Sequence, residues 1–178
     1  MSLKNVLKRT DWGKLIVSVL ACQAAGLAGA FFTASSVGSW YQTLNKPEFT
    51  PPSWVFGPVW TILYFLMAFA AYKIWILGWD NIKVKIGLVL FLIQLILNAA
   101  WSFSFFGLQN PYVGLLNIVI LLVMITVTTI YFFSLRKISG WLMVPYIAWV
   151  GYATALNYAI YELNAPITSV HFPSEYFF

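Results

Sequence analysis

The chain has 178 residues, 61% of them hydrophobic and only 8% charged, with a net charge of +5 and a mean hydropathy of +0.82. A soluble domain carries about 25% charged residues, so these figures exclude a mostly water-facing surface and point to a polytopic membrane protein. They also exclude a nucleic-acid binder, which needs a basic cluster on a folded polar surface, and the lone Cys22 excludes an intrachain disulfide or a cysteine-built metal site.

Taken in chain order, the first predicted span is Leu15–Val37. It follows Lys4, Lys8, Arg9 and Lys14 and lacks an A-x-A cleavage pattern, so it reads as a retained helix rather than a signal peptide. It carries two rows of small residues, Ala21, Ala25 and Gly29 on one and Cys22, Gly26 and Ala30 on the other. Such rows let helices approach closely, either within one chain or between two. Next comes an outer loop, 38–57, with Trp40 and Trp54 among Pro47, Pro51 and Pro52; Pro58 and Trp60 follow directly. Proline removes backbone donors and favours turn or extended geometry, so 40–58 is not one regular helix. Its aromatic surface suits a lid over a flat, apolar ligand better than a solvated loop.

Four more spans follow at 58–79, 86–108, 112–135 and 138–161, each about the 20 residues that a bilayer requires. Asp80-Asn81, Asn110-Pro111 and Arg136-Lys137 mark the breaks, and only Lys73 lies inside a span. The predicted fold is an all-α integral membrane protein, a five transmembrane helix bundle, with 1–178 as a single domain. An odd number of spans puts the termini on opposite sides. Lys4, Lys8, Arg9, Lys14, Lys73, Lys83, Lys85, Arg136 and Lys137 then share one side against Lys46 on the other. Basic residues mark the cytoplasmic face. The N-terminus is therefore expected inside the cell membrane, and the Trp-rich loop and C-terminal tail outside.

This orientation carries the central expectation. Trp60 and Tyr64 fall near the outer end of the second span, Asn98 and Trp101 in the middle to outer half of the third, and Trp149, Ala153 and Asn157 from the middle to the outer end of the fifth. Residues four apart share a helical face, so these groups should meet at one depth beneath the loop. Trp12, Trp75, Trp79 and Trp141, near span ends, read instead as an interfacial belt. Asn98 and Asn157 have two readings, as ligand-facing groups or as hydrogen bonds between helices.

Three blocks make the chain recognisable: WYQTLNKPEFTPPSWVFGPVWTILYFLM at 40–67, QLILNAAWSFSFF at 94–106 and VPYIAWVGYATALN at 144–157. With the five-span layout they resemble the TspO/MBR family, the tryptophan-rich sensory proteins related to the mitochondrial translocator protein. The resemblance implies a homodimer in membrane lipid that binds porphyrin or haem, and other hydrophobic small molecules, as ligand rather than as a required cofactor, with no metal site of its own. It implies a pocket lined by Tyr41, Pro51, Trp60, Tyr64, Asn98, Trp101, Trp149, Ala153 and Asn157. It also implies that Trp60 and Trp149 would be the catalytic residues if the protein is photochemically active. Sterol-binding relatives carry an L/V…Y…K/R motif late in the fifth span. Here LNYAIYELNAP has no basic residue after Tyr158 and places Glu162 there; a match to the short pattern occurs elsewhere, at Val127, Tyr131 and Arg136.

Conventional catalysis is absent from the spans. Asp11, Glu48, Asp80, Glu162, Glu175 and His171 all fall outside them or at their ends, so no acid–base pair or Ser-His-acid set can be assembled at that depth. His171, in the tail, reads as polar surface rather than a haem ligand. Three classes stand: a tetrapyrrole receptor or sensor, a light-dependent porphyrin-degrading enzyme, and a transporter of tetrapyrrole or lipid. Five spans without an internal repeat disfavour the third.

Overall fold

The computed structural model describes residues 10–165. Lys4, Lys8, Arg9, His171, Glu175 and the tail from residue 166 lie outside the described residues. Within them the chain is helical, with no strand: α1 Trp12–Ser36, α2 Trp40–Thr43, α3 Ser53–Trp75, α4 Ile82–Ser102 continued by a wider π turn Phe103–Gly107, α5 Pro111–Leu135 and α6 Lys137–Asn164.

Short polar side chains set the helix starts. Asp11 accepts from the Lys14 backbone N–H at 3.1 Å, Asn81 from Lys83 at 3.0 Å, and Asn110 from both Tyr112 and Val113. Each satisfies a donor that the first helical turn leaves unpaired. That same Lys14 N–H holds the exposed Asp11 carboxyl below its ordinary pKa. Pro111 sits at the first position of α5, where its missing N–H costs nothing. Gly78, at φ +116, ends α3 in a turn that a Cβ would strain.

The predicted boundaries move by up to five residues, most at the start of the second span: the sequence predicts it from Pro58, but α3 starts at Ser53 and carries Pro58 inside it. Pro58 is only the sixth residue of the helix, so it forfeits a single bond, to Trp54, close to an end where donors are unpaired anyway. The outer segment is thus shorter than 38–57 and holds the four-residue α2. At the other end of the chain α6 runs on to Asn164, so exposed Glu162 lies within its last turn.

Among the described residues four helices, α1, α3, α4 with its π turn, and α5, are long and apolar enough to cross a membrane. This is a multi-pass membrane protein, but the five-span expectation is met by four on that measure. α6 is long enough at 28 residues. It falls short in apolarity because Ser139, Gly140, Pro145, Gly151, Asn157 and several tyrosines are built into it. Much of that polarity is turned inward: Ser139, Tyr146 and Asn157 are all buried.

The helices alternate in direction, as their end contacts fix. The Ser36 hydroxyl donates to the Phe106 carbonyl at 2.9 Å, joining the ends of α1 and α4. Arg136 reaches the Lys73 carbonyl, joining the end of α3 to the start of α6. Asn45 and Asn164 exchange hydrogen bonds, tying the outer segment to the end of α6. Lys14, Lys73, Lys83, Lys85, Arg136 and Lys137 therefore sit at one end and Lys46 at the other. The half of the bundle nearer the basic end is solid. Met67, Ile74, Val84, Ile125, Phe132, Met143, Tyr146 and Val150 are fully buried there, and Phe91 stacks on Phe132. Lipid is as apolar as these side chains, so the packing rests on close van der Waals fit, which Ala68, Ala70 and Ala71 of α3 permit. The outer half is not solid, and there lies the site.

Candidate functional site

A cavity of about 490 Å³ occupies the outer half of the bundle, within the range of small-molecule sites. Every long helix except α5 contributes a stripe. α1 gives Gln23, Gly26, Leu27, Gly29, Ala30, Thr33 and Val37; α3 gives Ser53, Phe56, Gly57, Trp60, Thr61 and Tyr64. These recur at intervals of three and four, one face of each helix. Small residues dominate where the two faces oppose, and that leaves the slot. α4 and its π turn add Asn98, Trp101, Ser102, Phe105 and Phe106; α6 adds Ala153, Leu156, Asn157 and Ile160; Tyr41 of α2 closes the outer end. Leu27, Ala30, Gly57 and Thr61 line the cavity yet are exposed, so its open side lies between α1 and α3, facing the bilayer.

Aromatic rings fix the shape. Trp60 stacks on Tyr64 with centroids 5.6 Å apart, and Trp101 stacks on Phe105 at 5.7 Å. Phe105 and Phe106 reach the wall through the π turn, whose Leu108 N–H bonds back to the Phe103 carbonyl. The extra residue in the turn re-aims both rings, a recurrent use of such turns near functional sites. Tyr41 packs on both rings. Burial, with Tyr152 a smaller cause, pushes the Tyr41 hydroxyl above its ordinary pKa, so it stays neutral.

Two polar networks brace the wall. The Tyr64 hydroxyl donates to Asn98 Oδ1 at 2.6 Å, and Asn98 Nδ2 donates to the Tyr146 hydroxyl at 2.9 Å. Trp101 Nε1 donates to Asn157 Oδ1 at 3.2 Å, and Asn157 Nδ2 donates to the Pro111 carbonyl at 2.9 Å. Both asparagines thus make the interhelical bonds that one of their two readings required. Both also stand in the wall.

Of the residues named from the sequence, Tyr41, Trp60, Tyr64, Asn98, Trp101, Ala153 and Asn157 share this wall; Pro51 and Trp149 do not. Trp149 lies behind Phe56, at 5.8 Å between rings, and beside Tyr152 at 5.7 Å. The reason is angular. Each step of four residues turns a helix about 40° past a full circle, so Trp149 and Asn157 lie about 80° apart. The buried stripe of α6 follows Tyr146, Val150, Ala153, Asn157 and Ile160, with Trp149 on its flank. Trp149 instead supports the outer segment, whose Phe49 carbonyl accepts from the Tyr152 hydroxyl at 2.6 Å. Sequence reasoning passed over Tyr146, Phe56 and Gln23. Tyr146 was legible as the residue seven before Ala153, and Gln23 as the one amide in the first span.

The wall contains no Asp, Glu, His, Lys or Arg among the described residues. Among the described residues no group of three or more His, Cys, Asp or Glu is placed to hold a metal ion. The site is an aromatic slot with neutral polar groups.

The TspO/MBR family pattern matches residues 18–162. The chain belongs to the TspO/MBR family. It is 49% identical to the tryptophan-rich protein TspO of Archaeoglobus fulgidus over 153 residues, 85% of this chain and 97% of that one. It is 45% identical to the protein of that name from Chlorobaculum tepidum over 150 residues, 84% and 95% of the two chains. Against the human translocator protein the figure is 32% over 154 residues, 86% and 91%. The TspO/MBR match takes in every cavity-lining residue, from Gln23 to Ile160.

Proposed function

We propose that this protein is a membrane receptor or sensor that binds tetrapyrroles, porphyrin or haem, and related hydrophobic molecules in the cavity between α1, α3, α4 and α6. The observation that carries this reading is the slot itself: two stacked aromatic pairs, Trp60–Tyr64 and Trp101–Phe105, facing a space that no charged side chain lines among the described residues. Such walls suit a flat apolar ring system. The chain acts as one domain, and a homodimer is part of the reading. The exposed apolar rows of α4, Ile82, Ile86, Val89, Ile93 and Ile96, and of α1 are the surfaces available to a second copy. The small residues Cys22, Gly26 and Gly29 face inward within this chain.

Porphyrin titration of the purified protein in nanodiscs, followed by Soret absorbance and tryptophan quenching, tests the site. Trp60→Ala should lower affinity several-fold, since an aromatic contact is worth about 0.5–1.5 kcal/mol beyond its burial. Trp149→Phe, outside the wall, should stay within twofold. Unchanged affinity in folded Trp60→Ala would remove this cavity from consideration.

A second reading, light-dependent oxidation of the bound porphyrin by dioxygen, draws on the same stack, in which oxidisable Trp60 and Tyr64 face the ligand space. The same titration in light and in darkness separates the two. Pigment loss that needs light and oxygen and fails in Trp60→Phe favours the enzyme, and stable pigment favours the receptor.

The reading also makes α6 a fifth crossing, with the basic end cytoplasmic. In a Cys22→Ala background, an impermeant thiol reagent applied to intact cells should label cysteine at Thr43 and not at Lys83. The opposite pattern reverses the orientation.

A further inference from the structure

The cavity has a direction. On α1 its lining runs from Gln23 to Val37, a rise of about 21 Å at 1.5 Å per residue. Gln23, Tyr64, Asn98 and Ala153 are the innermost contributions of their helices and form the floor. Tyr41 lies at the mouth. Most polar groups of the floor are spent: Tyr64 donates to Asn98, and Asn98 donates to Tyr146. Higher up, Asn157 serves Trp101 and Pro111, while Thr33 and Thr61 bond back to their own helices. Gln23 is different. Its Nε2 is buried without a hydrogen-bond partner among the described residues, and no other cavity-lining residue has a buried polar atom in that condition. A buried donor without a partner is costly and is expected to have a use.

We propose that Gln23 is the docking donor at the floor, and that it takes a neutral hydrogen-bond acceptor, a carbonyl or ring nitrogen, at the leading edge of a flat apolar ligand. This rests on the receptor reading above. A carboxylate is excluded from the floor because the described residues of the wall include no cation, and an unpaired charge buried there is too costly. Anionic groups of the ligand therefore stay at the mouth. There Lys46 lies behind Tyr41, its Nζ donating to the Tyr41 and Leu44 carbonyls and resting 4.9 Å from the Tyr41 ring centre. The ligand class is an amphiphile that enters acceptor first and keeps its acid groups outward.

The test uses the full chain in nanodiscs with two fluorescent probes of nearly equal shape, 1-acetylpyrene and 1-ethylpyrene, and with a porphyrin measured in parallel. Gln23→Leu should weaken 1-acetylpyrene roughly fivefold, what one net hydrogen bond gives, and leave 1-ethylpyrene unchanged. The bound ketone in the wild-type protein should show a carbonyl stretch below its value in protein-free bilayer; this readout needs no variant to fold. An unshifted stretch, or a Gln23→Leu change equal for both probes, overturns the assignment while wild-type porphyrin binding leaves the receptor reading standing. Failure of the wild-type protein to bind the porphyrin and both probes overturns the two together.

Discussion

Gly26→Leu is expected to remove ligand binding by at least about tenfold, a loss that 1.4 kcal/mol suffices to produce, and to cost about 1–3 kcal/mol of stability, as overpacking does. A Cβ on Gly26 would stand 2.6 Å from Cε2 of the Tyr64 ring and 2.9 Å from its Cδ2, closer than real Cβ atoms come. The ring cannot yield without losing a contact. One face is stacked on Trp60, and its hydroxyl is held by Asn98 at 2.6 Å. Either Tyr64 swings into the cavity, breaking the Asn98 bond, or α1 withdraws from α3 and the slot loses its wall. Gly57 is the control. It lines the same cavity, but a Cβ there meets nothing within 4 Å, so Gly57→Ala should keep stability and change affinity only slightly. Thermal unfolding in detergent and the porphyrin titration measure both. A folded Gly26→Leu protein that binds as the wild type does would show that the Gly26–Tyr64 contact does not set the cavity.

The sequence made the helices and their breaks legible because each break carries a chemical cause. Asn110-Pro111 is both a cap and a first-position proline, and Asn81 caps α4. Pro58 misled because its meaning depends on position within the helix: inside the first turns it is tolerated, and the two prolines before Ser53 are the true boundary. The gathering of Trp60, Tyr64, Asn98, Trp101 and Asn157 was legible from depth and alternating direction alone. Depth has no angular resolution, however, so Trp149, at the right height, falls on the wrong side of α6. α1 stayed hidden for a different reason. Its contribution is largely an absence of side chain at Gly26, Gly29 and Ala30, and small residues mark close packing without saying whether the partner is ring, helix or second chain. Gln23 stands out in the sequence as the one amide of the first span, but only the structure shows that its Nε2 is buried without a partner.

Asn98→Leu should destabilise the bundle by about 1–3 kcal/mol. The residue joins three helices: it accepts from Tyr64 of α3 and donates to Tyr146 of α6, and all three side chains are buried. In water-soluble proteins, stranding two hydroxyls would cost about 1–3 kcal/mol each. Within a bilayer, single interhelical hydrogen bonds average about 0.6 and reach about 1.7 kcal/mol, because helices separated in lipid find other partners. The smaller scale governs here, and two bonds at that scale give the stated range. Tyr146→Phe removes only one bond and should cost about half as much. The sharper measurement is the triple variant Tyr64→Phe, Asn98→Leu, Tyr146→Phe. Replacing every partner of a buried network by apolar groups of similar shape strands nothing and is nearly neutral, so the triple should recover most of what Asn98→Leu loses. Unfolding in mild detergent, followed by near-ultraviolet circular dichroism, reads all three. If the triple is as unstable as the single variant, Asn98 acts through its volume rather than its hydrogen bonds. If Asn98→Leu is as stable as wild type, the network does not hold Tyr64 in the cavity floor, and the rigidity assigned to that ring against Gly26 falls with it.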